Sequence, residues 1–313
     1  QVPDDVHLLF TLGNLHHLCG RAEESANHYQ SVVNRDPGHA EGWFNLGVTR
    51  TIQARLADAL DAYRNAVECR PLYAEAWNNL AILEIAQSRQ AAAEICYRRA
   101  LLVRPDYKDA LYNFADLLYK QERLPEAAAI YERLITVSGG FAEAHNNLGN
   151  TYLKMNRLHE AQIQYAATLA IHASHREAPW NMGIVALLSG DLPRGWIGYE
   201  QRLTQDPLKN RTWTPPRWDG KFYPGQRILV HHEQGIGDTI QFLRYLPLLQ
   251  RGGFEVEVLC HKSLQPLVNK QSFVSRCVDS AEELGAGDWQ VPFPSLAYHF
   301  GTSLATIPEA VPY

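Results

Sequence analysis

Two groups of residues in this 313-residue chain have the types and spacings to do chemistry. One is the run His231-His232-Glu233-Gln234-Gly235-Ile236-Gly237-Asp238. Glycines at 235 and 237 let backbone amides come close to a ligand, which makes His232, Gly235 and Gly237 the candidate cofactor-binding residues. Asp238 stands where the first turn of a helix is expected. There a carboxylate can satisfy free amides at the helix end, or it can take a proton from an attacking hydroxyl. Composition alone favours the cap. Glu233 is a second candidate base, and His232 serves equally well as a structural hydrogen-bond partner. The run is not a dinucleotide fingerprint, because Ile240 stands where G-x-G-x-x-G requires its third glycine.

The other group is a column of amides: Asn45, Asn79, Asn113, Asn147 and Asn181, each 34 residues from the next. A carboxamide carries both donor and acceptor, so amides at one helical phase can hold a peptide backbone without reading its side chains. The same groups could instead satisfy neighbouring helix backbone or cap turns. The preceding residues, Phe44, Asn78, Tyr112, Asn146 and Trp180, predict a polar groove with aromatic patches.

Both groups need a scaffold, and the interval of the amides recurs in other columns. Tyrosines stand at 29, 63, 97, 131, 165 and 199, and small residues precede them by four at Ser25, Ala59, Ala93, Ala127, Ala161 and Gly195. A second small column follows an apolar residue at Gly13, Gly47, Ala81, Ala115, Gly149 and Gly183. Pro37, Pro71 and Pro105 end helices, as does Gly139 by another route. A fixed period of this length predicts stacked helical hairpins, six of them from about 6 to 208. Trp43, Leu46-Gly47, Ala59, Tyr63, Ala66 and Pro71, repeated as Trp77, Leu80-Ala81, Ala93, Tyr97, Ala100 and Pro105, resemble the tetratricopeptide repeat. The amide column resembles the asparagine ladder on the concave face of the repeats in O-linked N-acetylglucosamine transferases. That resemblance implies an extended protein or peptide partner, with Asn79, Asn113 and Asn147 as the first contacts and Asn45 and Asn181 as the next.

After the repeats, 206–226 holds four prolines and two tryptophans, Trp213 and Trp218, and reads as a packed connector. Then 227–231 reads as a strand, 239–250 as a helix, 254–260 as a strand, 263–269 as a short helix and 274–278 as a third strand. Strand, glycine turn, helix, strand opens a parallel α/β sheet, whose ligands sit beyond the carboxyl ends of the strands. Arg227-Ile228-Leu229-Val230, Gly237-Asp238 and Tyr245-Leu246-Pro247-Leu248-Leu249 resemble the start of the lipopolysaccharide heptosyltransferase family, with Ile236 in place of its Leu. Glu233 to Tyr245, Asp288 to Pro292 and Ile307 to Tyr313 resemble bacterial proteins that fuse these repeats to a glycosyltransferase-like domain. The resemblance implies that Asp238 is the catalytic base, that a sugar acceptor meets this lobe, and that a nucleotide-sugar donor is held by a second lobe, for which too few residues follow Gln226.

The expected architecture is therefore an all-α tetratricopeptide superhelix over 1–205, the connector 206–226, and a small α/β Rossmann-like domain over 227–313, the N-terminal half of a two-lobed glycosyltransferase fold. The piece alone is expected to be inactive. The competing expectation is a non-catalytic interaction scaffold in which the α/β piece caps the solenoid.

Composition sets the outer bounds. Hydrophobic residues make up 46% and charged residues 20%, and 29 basic against 34 acidic side chains leave a formal charge of -5. That balance predicts a folded protein with no nucleic-acid partner. No run is long and apolar enough to span a bilayer. Cys19, Cys69, Cys96, Cys260 and Cys277 lack zinc-knuckle or redox-pair spacing, which predicts reduced, mostly buried thiols, no metal site and a cytoplasmic setting. No tightly bound cofactor is expected.

Overall fold

The computed structural model describes residues 5–204, 215–233, 235–280 and 287–309. They divide into two compact units, Gln1–Met155 and Asn156–Tyr313.

The first unit is a run of antiparallel helices: α1 (Val6–Leu18), α2 (Ala22–Arg35), α3 (Ala40–Ile52), α4 (Leu56–Cys69), α5 (Ala74–Ala86), α6 (Gln90–Val103), α7 (Lys108–Lys120), α8 (Leu124–Ser138) and α9 (Ala142–Lys154). Each hairpin turns in three residues by the same device. Arg55 N–H bonds the carbonyl of Arg50 at 2.9 Å and Ala54 N–H bonds that of Thr51 at 3.0 Å, a Schellman motif whose pivot is left-handed. The pivots recur at the repeat interval: Gly20 (φ 71°), Ala54 (58°), Ser88 (60°) and Glu122 (59°). Three of these are not glycine, so the packed hairpin imposes a backbone that their side chains disfavour.

The tyrosine column closes each hairpin. Tyr29, Tyr63, Tyr97 and Tyr131 are all at least 98% buried, and the small column lies against them. A Cβ on Gly47 would stand 2.7 Å from the Tyr63 ring. Trp43 and Trp77 tie their helices to the preceding turns by Nε1 bonds of 2.9 Å to the Pro37 and Pro71 carbonyls.

The second unit begins with α10 (Leu158–Ile171), α11 (Ala178–Leu188) and α12 (Leu192–Tyr199), followed by a 3-10 turn over Glu200–Thr204. The glycines of α12, which weaken a helix in isolation, permit contact at backbone level here. A Cβ on Gly183 would stand 2.6 Å from the Gly198 carbonyl carbon, and one on Gly195 would strike Leu187. Four strands follow: β1 (Arg227–His231), β2 (Glu255–Leu259), β3 (Arg276–Val278) and β4 (Trp289–Pro292). They form one sheet in the order β3-β2-β1-β4, every pairing parallel.

Three details differ from the sequence reading. The helix expected over 239–250 is two, α13 (Ile236–Phe242) and α14 (Leu246–Arg251), with a 3-10 turn at Leu243–Tyr245. Pro247 lacks an N–H and sits in the first turn of α14, so the ladder restarts there. The short helix α15 spans only Gln265–Val268, and β4, an edge strand ending in proline, was not anticipated. A final helix, α16, spans Ser295–His299.

The sheet core joins Ile228, Val230, Val256, Val258 and Val291 to Phe242, Leu246, Leu249 and Phe293. Trp218 of the connector is 3% exposed; its ring meets Phe254 edge-on at 5.9 Å, and its backbone N–H bonds the Gln290 carbonyl. Trp213 lies outside the described residues. Cys96 and Cys260 are buried, but Cys19 and Cys69 are exposed, against the expectation of mostly buried thiols. Among the described residues no cluster of metal-binding side chains occurs, and no helix is long and apolar enough to cross a membrane.

Candidate functional site

The amide column takes its geometry from α3, α5, α7 and α9, where one residue per repeat falls at the same helical phase. Asn45, Asn79, Asn113 and Asn147 are half-buried. Each spends its amide nitrogen on the scaffold: Asn45 Nδ2 on Asn14 Oδ1 (3.2 Å), Asn79 Nδ2 on the Tyr63 hydroxyl (3.3 Å), Asn113 Nδ2 on Asn78 Oδ1 (3.2 Å) and Asn147 Nδ2 on the Tyr112 hydroxyl (3.2 Å). The scaffold thereby fixes the carboxamides, and oxygen lone pairs are what they can offer a ligand; Asn79 Oδ1 already accepts one bond, from Asn78 Nδ2 at 3.3 Å. The ladder is thus a row of oriented acceptors, suited to the N–H groups of an extended backbone. Asn181, in the second unit, is only 8% exposed.

The residues before the amides behave differently from the polar groove lining expected of them. Asn78 and Asn146 are each 3% exposed and lie inside the packing. Asn78 acts as the acceptor that orients Asn113. In the first repeat the ladder position, 34 residues before Asn45, is Thr11, whose hydroxyl bonds back to the His7 carbonyl, and Asn14 meets Asn45 instead.

Between the inner helices lie two hollows that sequence reasoning missed. The first, of about 340 Å³, is lined by Asn14, His17, Leu18, Tyr29, Asn45 and Val48. The second, of about 240 Å³, has at the corresponding places Val48, Thr51, Ile52, Tyr63, Asn79 and Ile82. Every pair differs by the repeat interval, so the second hollow is the first moved along by one hairpin. That interval was the signal that could have found them. The tyrosine hydroxyls stay protonated at any physiological pH, since burial raises Tyr29 and Tyr63 above the usual phenol range.

The glycine-turn residues gather at the carboxyl ends of β1 and β4, where strand order reverses and ligands of open parallel sheets collect. His231 is 4% exposed and its Nε2 meets Gln290 Oε1 at 2.9 Å. His232 donates its backbone N–H to Leu259 and is half-buried. Glu233 does not face solvent. Its side chain is 5% exposed and pairs with Arg202 at 2.8 Å, and Arg202 also binds Glu200 (2.7 Å) and the Ser295 hydroxyl (3.0 Å). Burial pushes the Glu233 carboxyl above the usual range; Arg202 pulls it down and Glu200 adds to the rise. One guanidinium thus serves two carboxylates at a dry site.

Gly235 is the N-cap of α13, with no side-chain cap bond, and Asp238 lies in the helix's first turn. Among the described residues the Asp238 carboxylate has no hydrogen-bond partner, so the capping use favoured by composition is not made there. A Cβ on Gly235 or Gly237 would meet nothing within 4 Å, so open space, not packing, surrounds both glycines.

Comparison with known proteins bears on the repeats. Residues 19–74, 53–101 and 81–143 match a family model described as tetratricopeptide repeat, and 142–169 match a second of the same description. Among solved structures, a MamA protein superposes with a TM-score of 0.51 at 22% identity, covering 55% of this chain and 93% of its own. YrrB, titled a tetratricopeptide protein with an unusual peptide-binding site, gives 0.50 at 18%, covering 60% and 93%. The pilF protein of Pseudomonas aeruginosa gives 0.55 at 16%, covering 65% and 94%. Identities this low speak for the fold alone. No curated protein sequence matches the chain. Helical hairpins, buried tyrosine column and family matches agree, and residues 19–169 are a tetratricopeptide-repeat solenoid.

Proposed function

We propose that the repeats bind an extended segment of a partner protein along the inner helices, with Asn45, Asn79, Asn113 and Asn147 accepting hydrogen bonds from its backbone. The observation that carries this reading is the spent nitrogen of each amide, held in phase by neighbouring repeats, which leaves oxygen lone pairs to offer, one of them at Asn79, whose other is taken by Asn78. YrrB, similar in fold, is described as having an unusual peptide-binding site, which supports the reading by analogy. The test is a random peptide library displayed on phage and selected on the immobilised chain. Selected peptides should protect amides of α3, α5 and α7 from hydrogen exchange. Protection confined to α4, α6 and α8 would reject the inner face.

For the α/β region two readings have specific support. The first is a cap. Trp196 of the last hairpin meets Phe242 of α13 edge-on at 5.8 Å, and Arg202 reaches Ser295 of α16, so helices of the α/β region cover a face that a terminal repeat would otherwise expose. The second is the acceptor-side lobe of a nucleotide-sugar-dependent glycosyltransferase, with Asp238 as base and His232, Gly235 and Gly237 beside the ligand. Its support is the unpartnered Asp238 carboxylate and the open space at both glycines, at the strand-order reversal. Glu233 fits this reading as the group that orients Arg202, not as a second base. Asp238→Asn in a protein that also carries the donor-binding second lobe separates the two: sugar transfer lost at an unchanged melting temperature supports the enzyme lobe, and a lowered melting temperature supports a structural role.

A further inference from the structure

The two hollows on the inner face share a wall. Val48 closes the first and opens the second, so their centres are one helix-to-helix step apart, about 8–10 Å between packed axes. Their chemistry differs. Asn14 and His17 of the first are replaced by Val48 and Thr51 in the second, while Leu18, Asn45 and Val48 of the first match Ile52, Asn79 and Ile82, with Ile52 61% and Ile82 43% exposed. Neither is lined by a carboxylate, a lysine or an arginine, so a charged side chain entering either would lose hydration without an ionic partner.

We infer that repeats 1 to 3 read an uncharged protein segment in the polyproline II conformation, in a three-residue register: an aliphatic side chain in the hollow of Val48, Ile52 and Ile82, and a hydrogen-bonding side chain three residues away in the hollow of Asn14, His17 and Asn45. This rests on the peptide-binding reading above and adds which ligand residues are recognised and how far apart they stand.

The register follows from length. A polyproline II chain rises about 3.1 Å per residue with three residues per turn, so residues i and i+3 lie on one side, about 9 Å apart. A β-strand advances about 3.3 Å per residue and alternates faces, so its same-side pairs fall at about 7 or 13 Å and straddle the spacing of the hollows. Polyproline II backbone also makes no internal hydrogen bonds, which leaves its N–H groups for Asn45 Oδ1 and for the second lone pair of Asn79 Oδ1, whose first accepts from Asn78. In the first hollow Asn14 Oδ1 already accepts from the Tyr29 hydroxyl (2.6 Å) and from Asn45. The Asn14 nitrogen and the Asn45 oxygen therefore face the ligand as a donor and an acceptor. A glutamine or asparagine side chain presents the matching pair.

The test uses end-blocked fluorescent peptides of about twelve residues, a proline and alanine host carrying one leucine and one glutamine placed two, three or four positions apart. Each is titrated against the whole chain by fluorescence anisotropy. The three-residue spacing should bind about tenfold more tightly than the other two. Replacing its leucine by glutamate, or Ile52→Asn in the protein, should erase that preference; Ile52 is exposed enough for the variant to fold, which circular dichroism checks. Equal affinity for all three spacings, with binding still weakened by Asn79→Ala, overturns the register and leaves the groove reading standing. Absence of binding by every peptide, with library-selected peptides also failing to protect the inner helices, overturns both.

Discussion

Removing the Arg202 guanidinium is the sharpest perturbation of the second unit. Arg202 is 5% exposed and contacts Glu233, itself 5% exposed, and Glu200, 17% exposed. Arg202→Met keeps much of the stem volume but leaves two carboxylates facing each other in a dry site. Breaking a buried pair from one side costs about 3–5 kcal/mol, because the abandoned charge keeps its desolvation penalty. The sign with pH follows from Glu233, whose folded carboxyl already lies above the usual range through burial. A raised folded value stabilises the fold at pH below the unfolded value, about 4.3, and that contribution is lost as pH rises through the folded value. Without Arg202 the rise is larger. The variant should therefore be most destabilised near neutrality and recover part of the loss toward pH 5. Amide hydrogen exchange at β1 and β4 reads the local stability directly. Arg202→Met/Glu233→Leu should regain part of the loss, since the pair vanishes together. A single variant that loses under about 1 kcal/mol, or a loss that does not change with pH, would refute the buried-pair account.

Four further outcomes follow from local geometry and charge. Gly183→Ala places a Cβ 2.6 Å from the backbone of Gly198 and Tyr199 and should cost about 3 kcal/mol. Gly47→Ala should cost clearly less by urea titration, because it meets only a tyrosine ring and positions 81 and 115 already carry buried alanines. Ala54→Gly relieves an exposed left-handed residue and should stabilise the first unit by about 1 kcal/mol, read as a raised melting temperature. Hydrogen bonds from Arg123 and Arg98, against an opposing burial effect, hold Glu94 below the usual glutamate range. A depressed folded value stabilises above the unfolded one, so that contribution should disappear as pH falls below about 4. Glu94→Gln should flatten this limb of the acid titration.

The repeat was legible because hairpin packing demands the same residue type at the same phase in every copy, and Tyr29 to Tyr131 stand where that demand is strictest. The pivots at Ala54, Ser88 and Glu122 were not legible. Nothing in those residue types favours a left-handed backbone, and the hairpin overrides their preference. The parallel sheet could be read from its apolar strands and glycine turn. β4 could not, being a short edge strand far from β1 in sequence. The ion cluster was invisible for the same reason, since Arg202 and Ser295 stand 93 residues apart and meet only in the fold. Asn78 was read as groove lining because its phase is adjacent to the ladder, yet that step turns the side chain into the packing.

The claim on which the account turns is that the amides hold a ligand backbone. Each lost backbone hydrogen bond is worth about 1 kcal/mol, so Asn79→Ala/Asn113→Ala/Asn147→Ala should weaken a library-selected peptide by about 3 kcal/mol, roughly 100-fold. Isothermal titration of that peptide against the native chain and the triple variant, with melting curves showing that both are folded, makes the measurement. A 100-fold loss is the predicted result; equal affinity in a folded variant would contradict the ladder as a recognition surface.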